Sequence, residues 1–304
     1  MQTLLKKSLG QNFLKDAEAA ERIADGWGDL STNDVLEVGP GDGRLTRHLL
    51  KRAKRVIAVE IDKRWADQLW RTFEGHPGFV LRHDDVTKIQ WEREVNKPFV
   101  LFGNLPYHLS SSILFGAIEY IRRRQADPSL PQLLGMVVML QKEVALRAAS
   151  EPGSSEYGLL SSFLQLYGTT EVLFHLPPSA FVPAPKVYSS VLKVTFDKLD
   201  VAIDNWLLFN SIVRAGYAGR RKMLRNTLPA IRPPLPAGFL DLNFDYSRRP
   251  QTLSPVEWVA LANELSAMGK WSPVQKKKKE KPYKLVTNDD SDEMLDEEDD
   301  SLLT

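Results

Sequence analysis

The sequence predicts an α/β fold, a largely parallel sheet with helices on both faces, followed by a small all-α C-terminal domain. Three observations predict it. Short β-rich apolar runs alternate with helical patterns between residues 34 and 149, a spacing that implies parallel strands joined by right-handed crossovers. The first of these runs enters a glycine-rich turn, Gly39-Pro40-Gly41-Asp42-Gly43, and a helix follows it. Near Asp200 the β signal stops, and the chain up to Met268 reads as helical.

Taken in order, residues 16–27 carry an apolar stripe at helical spacing, Ala20, Ile23, Ala24 and Trp27, with Asp16 as N-cap. Strands are predicted at 34–38, 55–60, 79–82, 98–102 and 133–140, and helices at 45–51, 63–74, 111–124 and 141–149. After the Gly/Ser-containing loop 151–155 comes a helix at 159–166. Two β-rich runs follow, 169–174 and 187–196, joined by the proline-rich loop 176–186; they read as an antiparallel pair closing the sheet. Helices at 204–215, 219–228 and 255–268 complete the chain. The last is marked by Ser254 as N-cap, Pro255 at the first helical position and Glu257 two residues further on. These patterns divide the chain into a catalytic domain at 1–199, a helical domain at 200–269 and a tail at 270–304. The tail has few apolar residues, a basic block at 276–279 and an acidic block at 289–300, a composition expected to be disordered.

Composition narrows the chemistry. No cysteine is present, which removes disulfides, thiolate zinc sites and a cysteine nucleophile; the five histidines are scattered, and no metal is expected. The N-terminus lacks the pattern of a signal or transit peptide, and no apolar run approaches membrane-spanning length, so a soluble cytoplasmic protein is expected. The net charge of +1 conceals an asymmetry. Residues 276–304 hold six Lys and ten Asp or Glu, which leaves the rest of the chain at +5. No acidic residue lies between Asp204 and Asp241, whereas Arg214, Arg220, Arg221, Lys222, Arg225 and Arg232 do. A basic sector of this kind suits a polyanion, although solvated helix faces also carry arginine.

The most informative stretch is Gly103-Asn104-Leu105-Pro106-Tyr107, expected in the loop at the C-terminal end of the fourth strand. Pro106 lacks an N–H and biases Leu105 toward extended backbone. The stretch therefore brings together a side-chain amide on Asn104, the Leu105 carbonyl and the Tyr107 ring. An exocyclic amine on a flat ring needs that set: two acceptors for its N–H groups and a surface to stack on. A turn with a packed tyrosine is the plainer reading. The glycine turn adds a nucleotide-cofactor reading, because Glu60 ends the second strand, where a carboxylate can accept from ribose hydroxyls. Asp85 follows the third strand, where it can accept from an adenine amine. A nicotinamide enzyme shares this layout, but its fingerprint wants Gly or Ala where Arg44 stands, and no hydride-transfer constellation is evident. S-adenosyl-L-methionine is the other adenosine-bearing cofactor, and Glu37-x-Gly39-x-Gly41-x-Gly43 is similar to the motif of its methyltransferases.

Between about Lys7 and Met268 the chain resembles the bacterial small-subunit rRNA adenine N6,N6-dimethyltransferases. They belong to the group that also holds the macrolide-resistance rRNA methylases. The resemblance is carried by Leu9-Gly10-Gln11-Asn12-Phe13-Leu14, Glu37-Val38-Gly39-Pro40-Gly41-Asp42-Gly43-Arg44-Leu45-Thr46 and Gly103-Asn104-Leu105-Pro106-Tyr107. It continues in Leu140-Gln141-Lys142-Glu143-Val144, Pro177-Pro178-Ser179-Ala180-Phe181-Val182-Pro183-Ala184-Pro185-Lys186-Val187 and Arg220-Arg221-Lys222-Met223-Leu224-Arg225-Asn226. His108 stands where the family often has Asn, and Ser112 where a Pro is common.

The resemblance implies a Rossmann-like methyltransferase sheet and S-adenosyl-L-methionine as cofactor. The implied partner is 16S rRNA in immature small ribosomal subunits, with dimethylation of two adjacent adenosines by a monomer, coupled to late subunit assembly. It implies that Asn12 and Leu14 contact the methionine part of the cofactor, that Gly39 and Gly41 approach it from the turn, that Glu60 binds its ribose and that Asp85 binds its adenine. Asn104, Leu105, Pro106 and Tyr107 are then the catalytic segment, Asn104 also completing the cofactor site, and Phe181 is a second ring stacked on the target base. A large-subunit methylase and a non-catalytic RNA-binding assembly factor are the neighbouring readings.

Overall fold

The computed structural model describes residues 12–198 and 201–272. The segment Leu9-Gly10-Gln11, the predicted boundary residues 199 and 200, and the charged blocks of the tail lie outside the described residues. Strand β1 (Phe13–Leu14) leads into α1 (Ala17–Asp25), whose N-cap Asp16 accepts from the Ala19 amide at 3.0 Å. Then β2 (Asp34–Val38), α2 (Arg44–Leu49), β3 (Arg55–Glu60), α3 (Lys63–Phe73) and β4 (Phe79–His83) alternate. A short α4 (Trp91–Glu94), not expected from the sequence, precedes β5 (Phe99–Asn104), α5 (Ser110–Ala126), β6 (Leu133–Gln141) and α6 (Lys142–Ala149). Next come α7 (Leu159–Tyr167), β7 (Thr169–Leu176), β8 (Phe181–Val182) and β9 (Ser189–Thr195). The remaining helices are α8 (Trp206–Ala218), α9 (Leu224–Thr227) and α10 (Pro255–Ala267).

Seven strands form one sheet in the order β4-β3-β2-β5-β6-β9-β7. Strands β2 to β6 pair in parallel, and β9 is antiparallel to both of its neighbours. The last strand in sequence is thus inserted ahead of β7, which takes the edge. Burial explains the choice: Ser189–Leu192 and Val194 are buried, whereas β7 exposes Thr169, Glu171 and His175, as an edge strand tolerates. The central strands are apolar throughout because both of their faces are covered. Alternate residues feed two cores: Val35, Val100 and Phe102 join α1 and α2 on one face, while Leu36, Val38 and Leu101 join α5 and α7 on the other.

The C-terminal helices pack on that second face. Leu208, Phe209, Ile212, Trp258 and Leu265 share one apolar cluster with Phe163 and Tyr167 of α7, and Ser162 and Tyr217 join their hydroxyls at 2.8 Å. Helix α10 starts as its sequence predicts, with the Ser254 hydroxyl accepting from the Glu257 amide and the Glu257 carboxylate accepting from the Ser254 amide. Residues 219–228, predicted as one helix, form only α9 and an adjoining single 3-10 turn. Gly219 ends α8, and the Arg220 guanidinium reaches across to the carbonyls of Ser155 and Tyr157, so the backbone there turns rather than coils. Trp271, placed in the tail by sequence, is 5% exposed and donates its indole N–H to the Pro233 carbonyl. No helix among the described residues is long and apolar enough to cross a membrane.

Candidate active site

The strand order reverses direction at β2, which lies between β3 and β5. At such a switch point the loops leaving two neighbouring strands part in opposite directions and open a crevice at their C-terminal ends. The Gly39–Gly43 turn leaves β2 there, and Asn104 is the last residue of β5 rather than part of the loop beyond it. A pocket of about 140 Å³ lies between them, lined by Asn12, Gly39, Glu60, Asn104 and Tyr107 among others.

The glycines have separate reasons. Gly39 turns the chain with φ of 62°, a conformation that disfavours a side chain, and where its Cβ would stand there is nothing within 4 Å. Gly41 also has a positive φ, and a Cβ there would meet the Phe13 ring at 2.6 Å. Phe13 therefore lies directly on the turn, wedged against Trp65 of α3 with ring centroids 4.6 Å apart. Two further ties keep the N-terminal segment in place. Strand β1 pairs antiparallel with β8, and Arg44 bridges the Asp42 carboxylate to the Lys15 carbonyl. Arg44 thus has a structural task of its own.

The Asn104 side chain donates its Nδ2–H to the Asn12 carbonyl at 2.7 Å. That bond fixes which end of the amide faces which way and leaves Oδ1 as the free acceptor. The next residue, Leu105, is held by its amide on the Met139 carbonyl, and its own carbonyl accepts no hydrogen bond among the described residues. Tyr107 opens a 3-10 turn closed by the Leu109 amide on the Pro106 carbonyl, and its hydroxyl lies 3.1 Å from that of Ser189. Asn104, Leu105 and the tethered Tyr107 all line the pocket.

Two carboxyls form the other wall. Glu60 is 3% exposed and accepts the Gly41 amide at 3.1 Å on one oxygen and the Asp62 amide at 2.9 Å on the other. Burial raises its pKa, against the pull of those two N–H donors. One oxygen thus ties the glycine turn to β3 and the other holds the chain just after β3, a role the sequence did not disclose. Glu37, on β2 beneath the turn, is 1% exposed and has one carboxyl oxygen with no partner. Burial pushes its pKa up to about 8. Sequence reasoning quoted Glu37 only as part of a motif; its orphaned oxygen at the pocket wall is visible in the fold alone.

Two expected site residues do not reach this pocket. Phe181 is 2% exposed and belongs to the apolar cluster that also holds Leu14, Met139 and Val191. Asp85 stands apart as well. Its carboxylate accepts from the Thr87 amide and hydroxyl and pairs with Lys88 at 3.1 Å. Burial pushes the Asp85 pKa up, but the Thr87 and Lys88 contacts outweigh it and hold the carboxyl below its ordinary value. Leu14 and Pro106 do line the pocket, with Leu14 itself buried.

A larger cleft, about 990 Å³, runs between α5 and α8, and Leu109 lines both it and the smaller pocket. Lys88, Arg122, Arg123 and Arg214 border it together with Phe115 and Trp206. Several of these cations are engaged: Arg122 with Glu119, Arg123 with Glu92, and Arg214 over the Phe115 ring at 5.5 Å. Arg221, Lys222 and Arg225, by contrast, are exposed, with no ion pair among the described residues.

Residues 2–243 match the model of the ribosomal RNA adenine dimethylase family. The chain belongs to that family. Among similar dimethylases, the ribosomal RNA small subunit methyltransferase A of Bacillus licheniformis is 37% identical, over 86% of this chain and 91% of its own. That of Erythrobacter litoralis is 36% identical, over 86% and 90%. Among solved structures, a dimethyladenosine transferase from Plasmodium falciparum superposes with a TM-score of 0.68 at 23% identity, over 84% of this chain and 98% of that one. The 23S rRNA methyltransferase ErmE does so at 0.61 and 24%, over 84% and 100%. These two share the fold of this dimethylase. The chain is thus an rRNA-modifying methyltransferase.

The buried Glu37 gives this dimethylase a testable pH signature. An ordinary carboxyl titrates near 4.5 and this one near 8, so the folded protein holds a proton that the unfolded chain has lost between those values. Stability then falls as pH rises through that window and levels off above it. Melting curves of the protein without cofactor are expected to show this decline, and Glu37→Gln is expected to flatten it. Equal pH profiles for the two proteins would show that Glu37 carries no such proton.

Proposed function

We propose that this dimethylase transfers methyl groups from S-adenosyl-L-methionine to N6 of two adjacent adenosines in small-subunit rRNA, acting on immature subunits in the cytoplasm. The observation that carries this reading is the Asn104 amide, turned by the Asn12 carbonyl so that Oδ1 is its acceptor end, in a pocket that Leu105 and Tyr107 also line. Two acceptors in that relation match the two N–H groups of an adenine amine.

The pocket suits the cofactor on its own features. The space over Gly39 admits a ligand close to the backbone, and the carboxyls of Glu37 and Glu60 on the pocket lining supply acceptors for it. Asn12, Leu14, Gly39, Gly41 and Asn104 would hold its methionine part, and Glu60 its ribose. Asp85 would take the adenine, exchanging a present partner for the ring amine. When bound, the cofactor supplies a methyl group on a positively charged sulfur, so the protein need not form a covalent intermediate.

What the chain must solve is the weak nucleophile. The N6 lone pair is delocalised into the adenine ring. Hydrogen bonds from both N–H groups to Asn104 Oδ1 and the Leu105 carbonyl favour a pyramidal nitrogen and stabilise the positive charge that develops there. Pro106 keeps Leu105 extended so that its carbonyl faces the amine. Tyr107 stacks on the base, an interaction worth roughly 1–3 kcal/mol in comparable sites. Phe181, which is buried here, would have to uncover its ring to take the other face of the base. A base entering this pocket has to leave its own stack first, which favours an unpaired target. After the first methylation one N–H remains, so the second round keeps one of the two hydrogen bonds to the acceptors.

The helical segment 200–269 would grip the RNA backbone through Arg221, Lys222 and Arg225, while Arg214, Arg220 and Arg232 serve internal contacts. Phosphate contacts of this kind position the RNA without reading its sequence. The cleft that meets the pocket at Leu109 offers a path between the two.

Transfer from labelled S-adenosyl-L-methionine to immature small subunits, followed by nucleoside analysis, is expected to give N6,N6-dimethyladenosine. Label found only in large-subunit RNA would replace the substrate proposed here. Asn104→Ala is expected to lower turnover at least a hundredfold, about the cost of losing one directed acceptor, with the melting temperature little changed. Near-normal turnover in that variant would refute the mechanism. Replacing Arg221, Lys222 and Arg225 with Ala is expected to weaken RNA binding and to reduce its salt slope by about one for each phosphate no longer neutralised. An unchanged slope would place the grip elsewhere.

A further inference from the structure

We propose that Ser189 is a positioning residue that sets the angle of the Tyr107 ring. The proposal rests on the reading of Tyr107 as the stacking surface and adds to it a residue that no motif of the sequence marks for this task. Tyr107 is held by its backbone in a single 3-10 turn, which fixes Cα and leaves the two side-chain torsions free. Its ring is only half buried, so packing does not choose one angle. A hydrogen bond at the far end of the side chain does. The two hydroxyls are 3.1 Å apart and link residues 82 positions apart in sequence.

Ser189 is well placed to serve as a fixed post. It opens β9 in the interior of the sheet, paired with Gln141 of β6 on one side and Leu176 of β7 on the other, and it is 1% exposed. The residue before it is pinned as well, since the Tyr188 carbonyl accepts the Lys142 amide at 2.9 Å. Strand alternation sends the next hydroxyl the other way: Ser190 bonds His175 Nδ1 at 2.7 Å. Of this serine pair only Ser189 faces the catalytic segment. The tether thus carries the rigidity of the central sheet out to the ring on which the target base must lie, and a ring free to swing would present that base to the methyl donor over a range of angles.

The test is a double-variant cycle measured on immature small subunits. Ser189→Ala and Tyr107→Phe remove the same bond from opposite ends, and each is expected to lower kcat about tenfold, with KM for the subunit and affinity for S-adenosyl-L-methionine unchanged. The double variant is expected to be no slower than either single one. A merely structural role for Ser189 would instead lower the melting temperature and add to the loss caused by Tyr107→Phe, and that additivity would overturn the proposal. So would wild-type kcat in Ser189→Ala. Tyr107→Ala separates the two levels: normal turnover there removes the stacking reading itself, whereas a dead Tyr107→Ala beside an unaffected Tyr107→Phe removes only the tether.

Discussion

A side-chain amide has a donor end and an acceptor end, and in this protein the Asn12 carbonyl takes the donor end of Asn104. The rest of the site depends on that one bond. It joins segments 92 positions apart in sequence and leaves Oδ1 as the acceptor end of the amide. With the amide turned round, two carbonyl oxygens would face each other. The other features near the N-terminus keep Asn12 in place: the β1–β8 pairing, the Phe13 ring on Gly41, and Arg44 reaching back to Lys15. A short segment with almost no secondary structure of its own is thereby held as firmly as the sheet edge it covers.

The crevice follows from the path of the chain. Strand β2 lies between β3 and β5, so the loops after β2 and β5 diverge, and the glycine turn and the Asn104–Tyr107 segment end up on one edge. The glycine turn completes it by letting backbone approach where side chains would block. Glu60 then closes the turn onto β3 by accepting two backbone amides, and this keeps a buried carboxyl paired. Glu37 beneath it is not so paired. A buried carboxyl oxygen without a hydrogen-bond partner is costly to ionise, and burial accordingly raises the Glu37 pKa to about 8.

Basic residues that look alike in sequence divide into two groups in the fold. Arg220 ties the 155–157 loop to the C-terminal helices, and Arg214 lies over Phe115 and Phe163 with its Nε–H on Asn210. These guanidiniums act through planarity and directed donors, close to apolar surface. Arg221, Lys222 and Arg225 remain in solvent with their charge uncommitted. Charge density along the chain therefore overstates the number of cations available to RNA.

Much of this molecule was legible in its sequence. The strand and helix alternation, the glycine turn, the capping of α1 and α10 and the Asn104–Tyr107 segment all follow from local rules, because period, turn chemistry and capping act within a few residues. The family resemblance, too, rests on contiguous motifs. Long-range partnership was not legible. No local rule places β9 ahead of β7, shortens the 219–228 helix, turns Phe181 into the core, or occupies both oxygens of Glu60 with backbone amides. Nor could spacing reveal that Asn12 orients Asn104, that Ser189 meets Tyr107, or that Glu37 is left with an empty oxygen. Each of those depends on which segments the completed sheet brings within hydrogen-bonding distance. The sequence by itself determined which chemical groups this protein owns and on which elements they ride; the tertiary structure decided how each of them is turned and held, because hydrogen bonds to partners distant in sequence form only once the sheet is assembled.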